Sequence, residues 1–184
     1  MVATATVKDD IGGAVNAPAA CPTTVTNLRY KEADNNTQDL NNPVTVPAGG
    51  TKYSYWKHTF VVFTGCFTQI CNINWFVTCF NSTGTTLTMG NGVQGKTSAT
   101  SVGYDPAVGL NILTTHDTIC ATTDAGATYL ASCSGRAGTI SEACCVINAT
   151  GETTDYFVTN LALTNTAVSG TQTAKTVTIE YDEI

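Results

Sequence analysis

The sequence contains eight cysteines, and cysteine side chains can pair in disulfide bonds, bind metal ions or remain free thiols. Zinc ribbons and iron–sulfur sites need closely spaced C-x-x-C pairs, which this sequence lacks. An even number of cysteines in a threonine-rich, charge-poor chain favours disulfides and an oxidising environment; buried free thiols in a reducing compartment are the alternative. The candidates for disulfide bonding are Cys21, Cys66, Cys71, Cys79, Cys120, Cys133, Cys144 and Cys145.

The two histidines do not form a catalytic signature. His116-Asp117 is similar to the His-Asp pair of metal phosphohydrolases, but those sites need several further histidines and only His58 is present besides. His58 lies in a predicted strand between aromatic residues, which favours a structural role. A G-x-S-x-G nucleophile elbow is absent as well. We therefore predict that the chain is not an enzyme and has no catalytic residues and no cofactor.

Oxygen-bearing side chains are concentrated in residues 34–39, DNNTQD. Such ligands at loop spacing could hold calcium, but the glycine and the terminal glutamate of an EF-hand loop are missing. A solvated loop is the favoured interpretation, and we predict no metal site. The acidic residues Asp9, Asp10 and those of residues 180–183 are also expected to be solvated.

Three N-x-S/T sequons occur, at Asn35, Asn81 and Asn148, all in predicted turns. A chain with this content of asparagine, serine and threonine carries roughly three sequons by chance. Their number is therefore uninformative, and only their position in turns favours glycosylation. Threonine-rich tracts are further candidates for glycans on an exported protein.

The element that must hold these residues in place is an aromatic stretch, residues 53–80, with both tryptophans and five of the six phenylalanines. Its residues alternate with period 2, which is typical of strands. Trp56, His58, Phe60 and Val62 fall on one face of the first predicted strand, opposite a face that contains Lys57, Thr59, Val61 and Phe63. A second strand contains Trp75 and Val77 on one face and Phe76 on the other. We expect Trp56, Phe60, Trp75, Phe76 and Val77 to form the core, because large aromatic side chains dominate core burial.

The rest of the chain also reads as short strands separated by turns. Further strands are predicted in residues 23–30, 85–89, 97–104, 110–115, 127–133, 144–148, 155–164 and 171–184. About ten short strands with frequent turn signals predict an all-β fold, a single β-sandwich or jelly-roll-like domain stapled by disulfides.

Composition excludes two classes of partner. The net charge is −6 and the eight basic residues are scattered, whereas nucleic-acid binding needs clustered lysine and arginine. No apolar segment approaches the roughly 18–20 residues that span a bilayer, so no membrane span is predicted. Residues 1–10 lack the basic and apolar regions of a signal peptide. We therefore expect either a cytoplasmic start or a start at or near the mature end of an exported chain.

The N-terminus has the pattern of a detachable strand. Residues 1–10, MVATATVKDD, place Ala3, Ala5 and Val7 on one face and Val2, Thr4 and Thr6 on the other. Residues 11–20, IGGAVNAPAA, predict a linker. We divide the chain into an arm, residues 1–20, and a β-sandwich domain, residues 21–184. An exposed strand can complete the sheet of a neighbouring chain, and head-to-tail repetition of that contact produces a filament.

In this arm and in its threonine-rich all-β body the chain resembles donor-strand-complemented, pilin-like subunits of bacterial and archaeal surface filaments. It lacks the long apolar N-terminal helix of type IV pilins and archaeal flagellins, and it has more cysteines than chaperone–usher pilins usually carry. The resemblance implies an extracellular structural subunit that forms a helical homopolymer by inserting Val2–Val7 (Val2, Ala3, Thr4, Ala5, Thr6 and Val7) into another copy. The alternatives are an ordinary first strand of its own sheet, or a secreted carbohydrate-binding, adhesin or virion-surface module with an exposed aromatic platform.

Overall fold

The computed structural model describes residues 2–14, 17–18, 22–77, 83–92, 104–106, 108, 128–129, 140–141, 147–170, 174 and 176–184. Within these residues the chain forms strands and no helix, which confirms the all-β class. The strands are β1 (Ala3–Asp10), β2 (Gly13–Ala14), β3 (Ala17–Pro18), β4 (Thr23–Thr24), β5 (Thr51–Tyr53), β6 (Lys57–Gly65), β7 (Ile70–Val77), β8 (Thr85–Gly92), β9 (Thr128–Tyr129), β10 (Ile140–Ser141), β11 (Tyr156–Thr164) and β12 (Val177–Glu183).

The strands form one large and one small antiparallel sheet, with a separate two-residue pairing of β2 with β3. The large sheet has the order β4-β1-β6-β11-β8-β9, and β5 pairs with β11 beside this path. The smaller sheet has the order β10-β7-β12. β6 and β11 are central in the large sheet, and side chains on both faces are buried along the first five residues of β6 and along all of β11 except Thr164. Such strands lack the polar face of a half-solvated antiparallel sheet.

Side chains from the two sheets share one hydrophobic core. Trp75 of β7 stacks on Phe157 of β11, with ring centroids 4.5 Å apart. Tyr181 of β12 meets Phe63 of β6 edge to face at 4.9 Å. Val61 and Ile73 are fully buried in the same cluster. The smaller sheet therefore packs on the face of the large sheet that carries Val61 and Phe63 of β6.

A second core covers the opposite face of β6. It contains Trp56, Phe60, Tyr104, Tyr156 and Val158, all buried. The expected burial of Trp56, Phe60 and Trp75 is therefore confirmed. The side chains of Phe76 and Val77 lie outside the described residues.

The strand predictions are confirmed in the segments where residues alternate with period 2 over many positions. β11 and β12 lie within the predicted residues 155–164 and 171–184, and β8 runs three residues beyond the predicted 85–89. The prediction over residues 23–30 is wrong after Thr24, where the chain is irregular. Residues 97–104, 110–115, 127–133 and 144–148 lie wholly or mostly outside the described residues.

The arm is part of the main sheet in the single chain. β1 pairs with β6 over all its residues, from Ala3 opposite Gly65 to Asp10 opposite His58. This is the arrangement of an ordinary first strand, one of the two alternatives above. Ala3 is buried and Val7 packs against the core, whereas Ala5 is exposed in the single chain.

The disulfide expectation fails at the two described cysteines. Cys66 and Cys71 both carry free thiols; Cys66 is exposed and Cys71 is partly buried. Cys71 has Asp182 rather than a cysteine as its partner in the β7–β12 ladder. The other six, Cys21, Cys79, Cys120, Cys133, Cys144 and Cys145, lie outside the described side chains.

We predict that the core shared by the two sheets contributes strongly to the stability of the fold. Replacing Trp75 with alanine should lower the free energy of unfolding by about 3–5 kcal/mol, because it removes a buried ring and leaves a cavity. The matched control is Leu40→Ala, at a side chain that is 89% exposed, which should change stability by less than about 0.5 kcal/mol. Urea denaturation followed by circular dichroism measures both. Equal effects of the two substitutions would contradict this packing.

Candidate functional site: β1 and its polar end

The candidate site is the place where β1 docks. On one side β1 forms a continuous antiparallel ladder with β6. On the other side β4 pairs only with Lys8 and Asp9 of β1, and the amide of Val25 donates to the Val7 carbonyl at 3.1 Å. Among the described residues, Ala3–Thr6 therefore have no strand neighbour on that second side. β1 lies near the border of the large sheet and depends on β6 for most of its backbone hydrogen bonds.

The beginning of β1 is fixed by a contact from the smaller sheet. The Ala3 amide donates to Glu183 Oε2 at 2.9 Å. Gly65 allows the close approach of the chain here, because its φ is +106° and a Cβ would lie 2.9 Å from the Val2 carbonyl oxygen. Glu183 therefore has a structural partner, although residues 180–183 were expected only to be solvated.

The other end of β1 carries two buried carboxyl groups. Asp9 and Asp10 are 0% and 1% exposed, so the expectation that they are solvated is wrong. Asn36 Nδ2 donates to Asp9 Oδ2 at 2.5 Å, and the Tyr156 hydroxyl donates to Asp10 Oδ2. The second oxygen of each carboxyl, Oδ1, has no hydrogen-bond donor in the described part of the chain.

A third carboxyl, that of Asp34, joins this polar end from the loop of residues 31–39. Its Oδ2 accepts from the Gly12 amide at 2.5 Å and from the Tyr104 hydroxyl. Its Oδ1 lies 3.9 Å from Lys57 Nζ, and the two side chains are 7% and 0% exposed. Lys57 Nζ also donates to the Asn35 carbonyl oxygen at 2.9 Å.

The loop is thus more structured than its sequence suggested. Asn35, Asn36 and Asp39 each accept or donate side-chain hydrogen bonds within the protein, and Asp39 pairs with Lys31 at 2.5 Å. Among the described residues no group of three or more histidine, cysteine, aspartate or glutamate side chains is arranged to hold a metal ion. The loop uses its oxygens to bind the chain itself.

Burial changes the ionisation of these groups. Desolvation raises the pKa of Asp9 to about 7, although the positive charge of Lys57 and the Asn36 hydrogen bond oppose the shift. Desolvation also raises the pKa of Asp10, against the hydrogen bond from Tyr156. Loss of water lowers the pKa of Lys57, while the charges of Asp9 and Asp34 act in the opposite direction. Desolvation and the neighbouring Asp34 raise the pKa of Tyr104. All these shifts favour the neutral forms of the side chains.

Of the two histidines, the structure describes His58. His58 is buried between the rings of Tyr104 and Tyr156, at centroid distances of 4.8 and 5.3 Å. Its Nε2 accepts a hydrogen bond from the Asp105 amide at 3.2 Å. His116 and Asp117 lie outside the described residues. Two aromatic rings and a backbone hydrogen bond therefore hold the His58 ring in place.

Two of the three sequons can be located. Asn148 is exposed beside a turn. Asn35 is half-buried, and its Oδ1 accepts from the Thr37 amide at 3.1 Å and from Lys31 Nζ at 3.4 Å. Asn81 lies outside the described residues. Of the two, only Asn148 has an environment suited to a bulky surface modification.

We predict that Asp9 makes stability fall as the pH rises from about 4 to about 7. Its pKa is 3.8 in the unfolded chain and about 7 in the folded one, so the folded state binds the extra proton between these values. The free energy of unfolding should therefore decrease by up to about 1.4 kcal/mol per pH unit in this range. Urea denaturation at several pH values, followed by tryptophan fluorescence, measures the slope.

The variant Asp9→Asn should flatten this slope, although Asp10, whose pKa is also raised, still contributes in the same direction. Asp39→Asn is the matched control, because the Lys31 hydrogen bond lowers the pKa of Asp39 and confines its effect to more acidic solutions. An unchanged slope in Asp9→Asn would show that Asp9 ionises normally in the folded protein.

The comparisons with known proteins give no family for this arrangement. No family model matches the chain, and neither a curated protein nor a solved structure is significantly similar to it. In the described part of the chain no helix is long and apolar enough to cross a membrane.

Proposed function

We propose that this chain is a structural subunit of an extracellular filament, which polymerises head-to-tail when β1 of one copy occupies the β1 position of the next. In this proposal residues 1–20 are the exchanged arm, and residues 21–184 are a β-sandwich body whose two layers are the two sheets. The exchanged strand makes in the neighbour the same contacts that β1 makes in the single chain. This is the arrangement of a domain swap, and head-to-tail repetition extends it into a fibre.

The observation that carries the proposal is the nature of the β1 contact. β1 is held along its length by an unbroken ladder to β6. At its start the Ala3 amide donates a hydrogen bond to Glu183, and at its end Asn36 donates one to Asp9. A β1 strand from another chain could make all of these contacts. Only the connection that follows Asp10 joins β1 to the body of its own chain. That connection contains Gly12 and Gly13, with φ of 69° and 86°, a conformation that glycine adopts without strain.

The buried polar end gives the exchanged strand a defined register. A shift of β1 by one residue along β6 would turn Asp9 and Asp10 to the opposite faces of the sheet. Asp9 would then lose Asn36, and Asp10 would lose the Tyr156 hydroxyl. Buried carboxyls without hydrogen-bond donors are costly, so only one register satisfies both groups.

Burial of the tryptophans argues against the alternative of a secreted binding module with an aromatic platform. Trp56 and Trp75 are 0% and 1% exposed. The exposed large hydrophobic residues of the described chain are aliphatic: Val2, Leu40, Val108, Val168 and Ile184. The filament proposal also includes surface glycans, for which Asn148 is the better-placed described candidate, and pairing among the cysteines outside the described residues.

The test removes residues 1–10. We expect the truncated chain to remain monomeric or to misfold, since the β6 ladder and the core around Val7 are left open. A synthetic peptide of residues 2–10 should bind it and restore the native fluorescence and circular dichroism. Negative-stain images of the full-length protein should show fibres with an axial repeat of one domain.

Two matched peptides make the test specific. Val7→Asn should weaken binding about tenfold, roughly 1.4 kcal/mol, because Val7 packs against the core. Thr4→Asn should bind like the unmodified peptide, because Thr4 is exposed. If the truncated chain polymerises like the full-length one, β1 is not the connector. If the peptide restores folding but the full-length protein stays monomeric at every concentration, β1 is an ordinary first strand.

A further inference from the structure

We propose that Lys57 and Asp34 are joined by an intramolecular isopeptide bond between Lys57 Nζ and Asp34 Cγ. The two side chains are 0% and 7% exposed, and Nζ lies 3.9 Å from Asp34 Oδ1. This is a modification of the body of the subunit, and it does not depend on strand exchange between copies.

The backbone holds the two groups together from different parts of the fold. Lys57 begins β6 and lies opposite Thr159 of β11. Asp34 belongs to a loop whose next residue, Asn35, accepts a hydrogen bond from Lys57 Nζ through its carbonyl oxygen at 2.9 Å. The amine is therefore tethered one residue from the carboxyl that it would attack. Holding reactants in this way replaces a bimolecular encounter by an effectively unimolecular step.

The two oxygens of Asp34 are in different environments. Oδ2 accepts from the Gly12 amide and from the Tyr104 hydroxyl. Oδ1 has no hydrogen-bond donor in the described part of the chain and faces Lys57. The Gly12 amide can stabilise the negative charge of a tetrahedral intermediate at Oδ2. The Tyr104 hydroxyl adds a second donor when its single proton points to Oδ2 rather than to the Gly12 carbonyl oxygen at 2.6 Å. The other oxygen is then free to leave.

A proton carrier lies beside the pair. Asp9 is opposite Thr59 in the β1–β6 ladder, and Lys57 is two residues from Thr59 on the same face of β6. The charges of both Lys57 and Asp34 act on Asp9, and its pKa is raised to about 7, so it holds a proton near neutrality. Asp10, the remaining acid that acts on Asp9, is occupied by the Tyr156 hydroxyl.

The reaction balances without a further reagent. The Lys57 ammonium first gives one proton to Asp34 Oδ1, which leaves a neutral amine beside a protonated carboxyl group. The amine then attacks Asp34 Cγ, the Nζ–Cγ bond forms, and the Cγ–Oδ1 bond breaks, so that Oδ1 departs as a hydroxyl group. Asp9 gives its proton to the departing oxygen and recovers a proton from the attacking nitrogen, so that Asp9 is unchanged at the end. The net change is one ammonium and one carboxylate converted into one amide and one water. The product replaces two opposite charges by a neutral amide at side chains that are 0% and 7% exposed.

A second lysine–aspartate pair serves as an internal control. Lys31 Nζ lies 2.5 Å from Asp39 Oδ1, closer than the proposed pair, but Asp39 is 30% exposed. The Lys31 hydrogen bond lowers the pKa of Asp39, which favours its charged form. An ionised carboxylate is a poor target for an amine, so we expect no bond at this pair.

Intact-mass spectrometry of the reduced protein tests the proposal. The folded chain should weigh less than its sequence by the mass of one water. After trypsin, the peptide of residues 32–52, which contains Asp34, should be joined to residues 53–96 with Lys57 uncleaved. An unchanged mass after prolonged incubation of the folded wild-type protein overturns the proposal. So does a loss of water that peptide mapping assigns to Lys31 and Asp39.

Substitutions separate the roles of the residues. Lys57→Gln and Asp34→Ala should retain the full sequence mass, whereas Asp34→Asn should form the same amide with loss of ammonia instead of water. Asp39→Asn should leave the loss of water unchanged. Ammonia loss from the wild-type chain would place the bond on Asn35 or Asn36 and contradict Asp34 as the acceptor.

To test the role of Asp9, the rate of water loss must be measured rather than the final mass. Asp9→Asn should slow the loss of water at least about tenfold while tryptophan fluorescence remains native, and Asp9→Glu should restore part of the rate. If both variants react as fast as the wild-type chain, Asp9 carries no proton in the reaction.

Discussion

Three carboxyl groups, of Asp9, Asp10 and Asp34, lie in one desolvated region at the end of β1, beside the buried amine of Lys57. Removing ionised groups from water costs several kcal/mol each unless partners compensate. Here the compensation comes from Asn36, Tyr156, Tyr104 and the Gly12 amide, and from protonation. The two cores, the loop of residues 31–39 and the course of the chain after β1 must all be positioned to supply these donors. Local patterns cannot provide them, since the partners of Asp9 and Asp10 are 27 and 146 residues away.

The aromatic part of the fold could be predicted because its signal is local. Alternation along residues 53–80 placed Trp56, Phe60 and Trp75 in the core, and all three are buried. The alternation did not show that the opposite face of β6 is buried as well. Lys57 and Thr59 are buried there because β6 is central and covered on both faces. Whether a strand is central or at an edge depends on pairing between distant segments, which the period of one strand does not contain.

The polar end could not be predicted for a related reason. Asp9 and Asp10 end a short strand beside a glycine-containing linker, a position where acidic residues are usually solvated. One signal was present: Lys57 stands between Trp56 and His58 in the most aromatic segment of a chain with only 12% charged residues. A charge in such a place needs a buried partner. That argument identifies Lys57, but it does not identify Asp34 as the partner.

Under the proposed assembly, docking of β1 within a chain and between chains involves the same contacts, so their energies nearly cancel. What differs is the covalent connection between β1 and the body, and the concentration of β1 strands near the docking position. A short tether gives the chain's own β1 an effective concentration in the millimolar range, which favours the closed monomer in dilute solution. Exchange is then favoured only if β1 is captured by a neighbour before it folds back, or if subunits are held close together. A filament built in this way is under kinetic control. Because Asp9 and Gly12 both lie in the exchanged segment, an isopeptide bond between Lys57 and Asp34 would form only after some β1 has docked. The presence of the bond in a subunit would therefore show that a β1 strand had docked on that subunit, whichever chain supplied the strand.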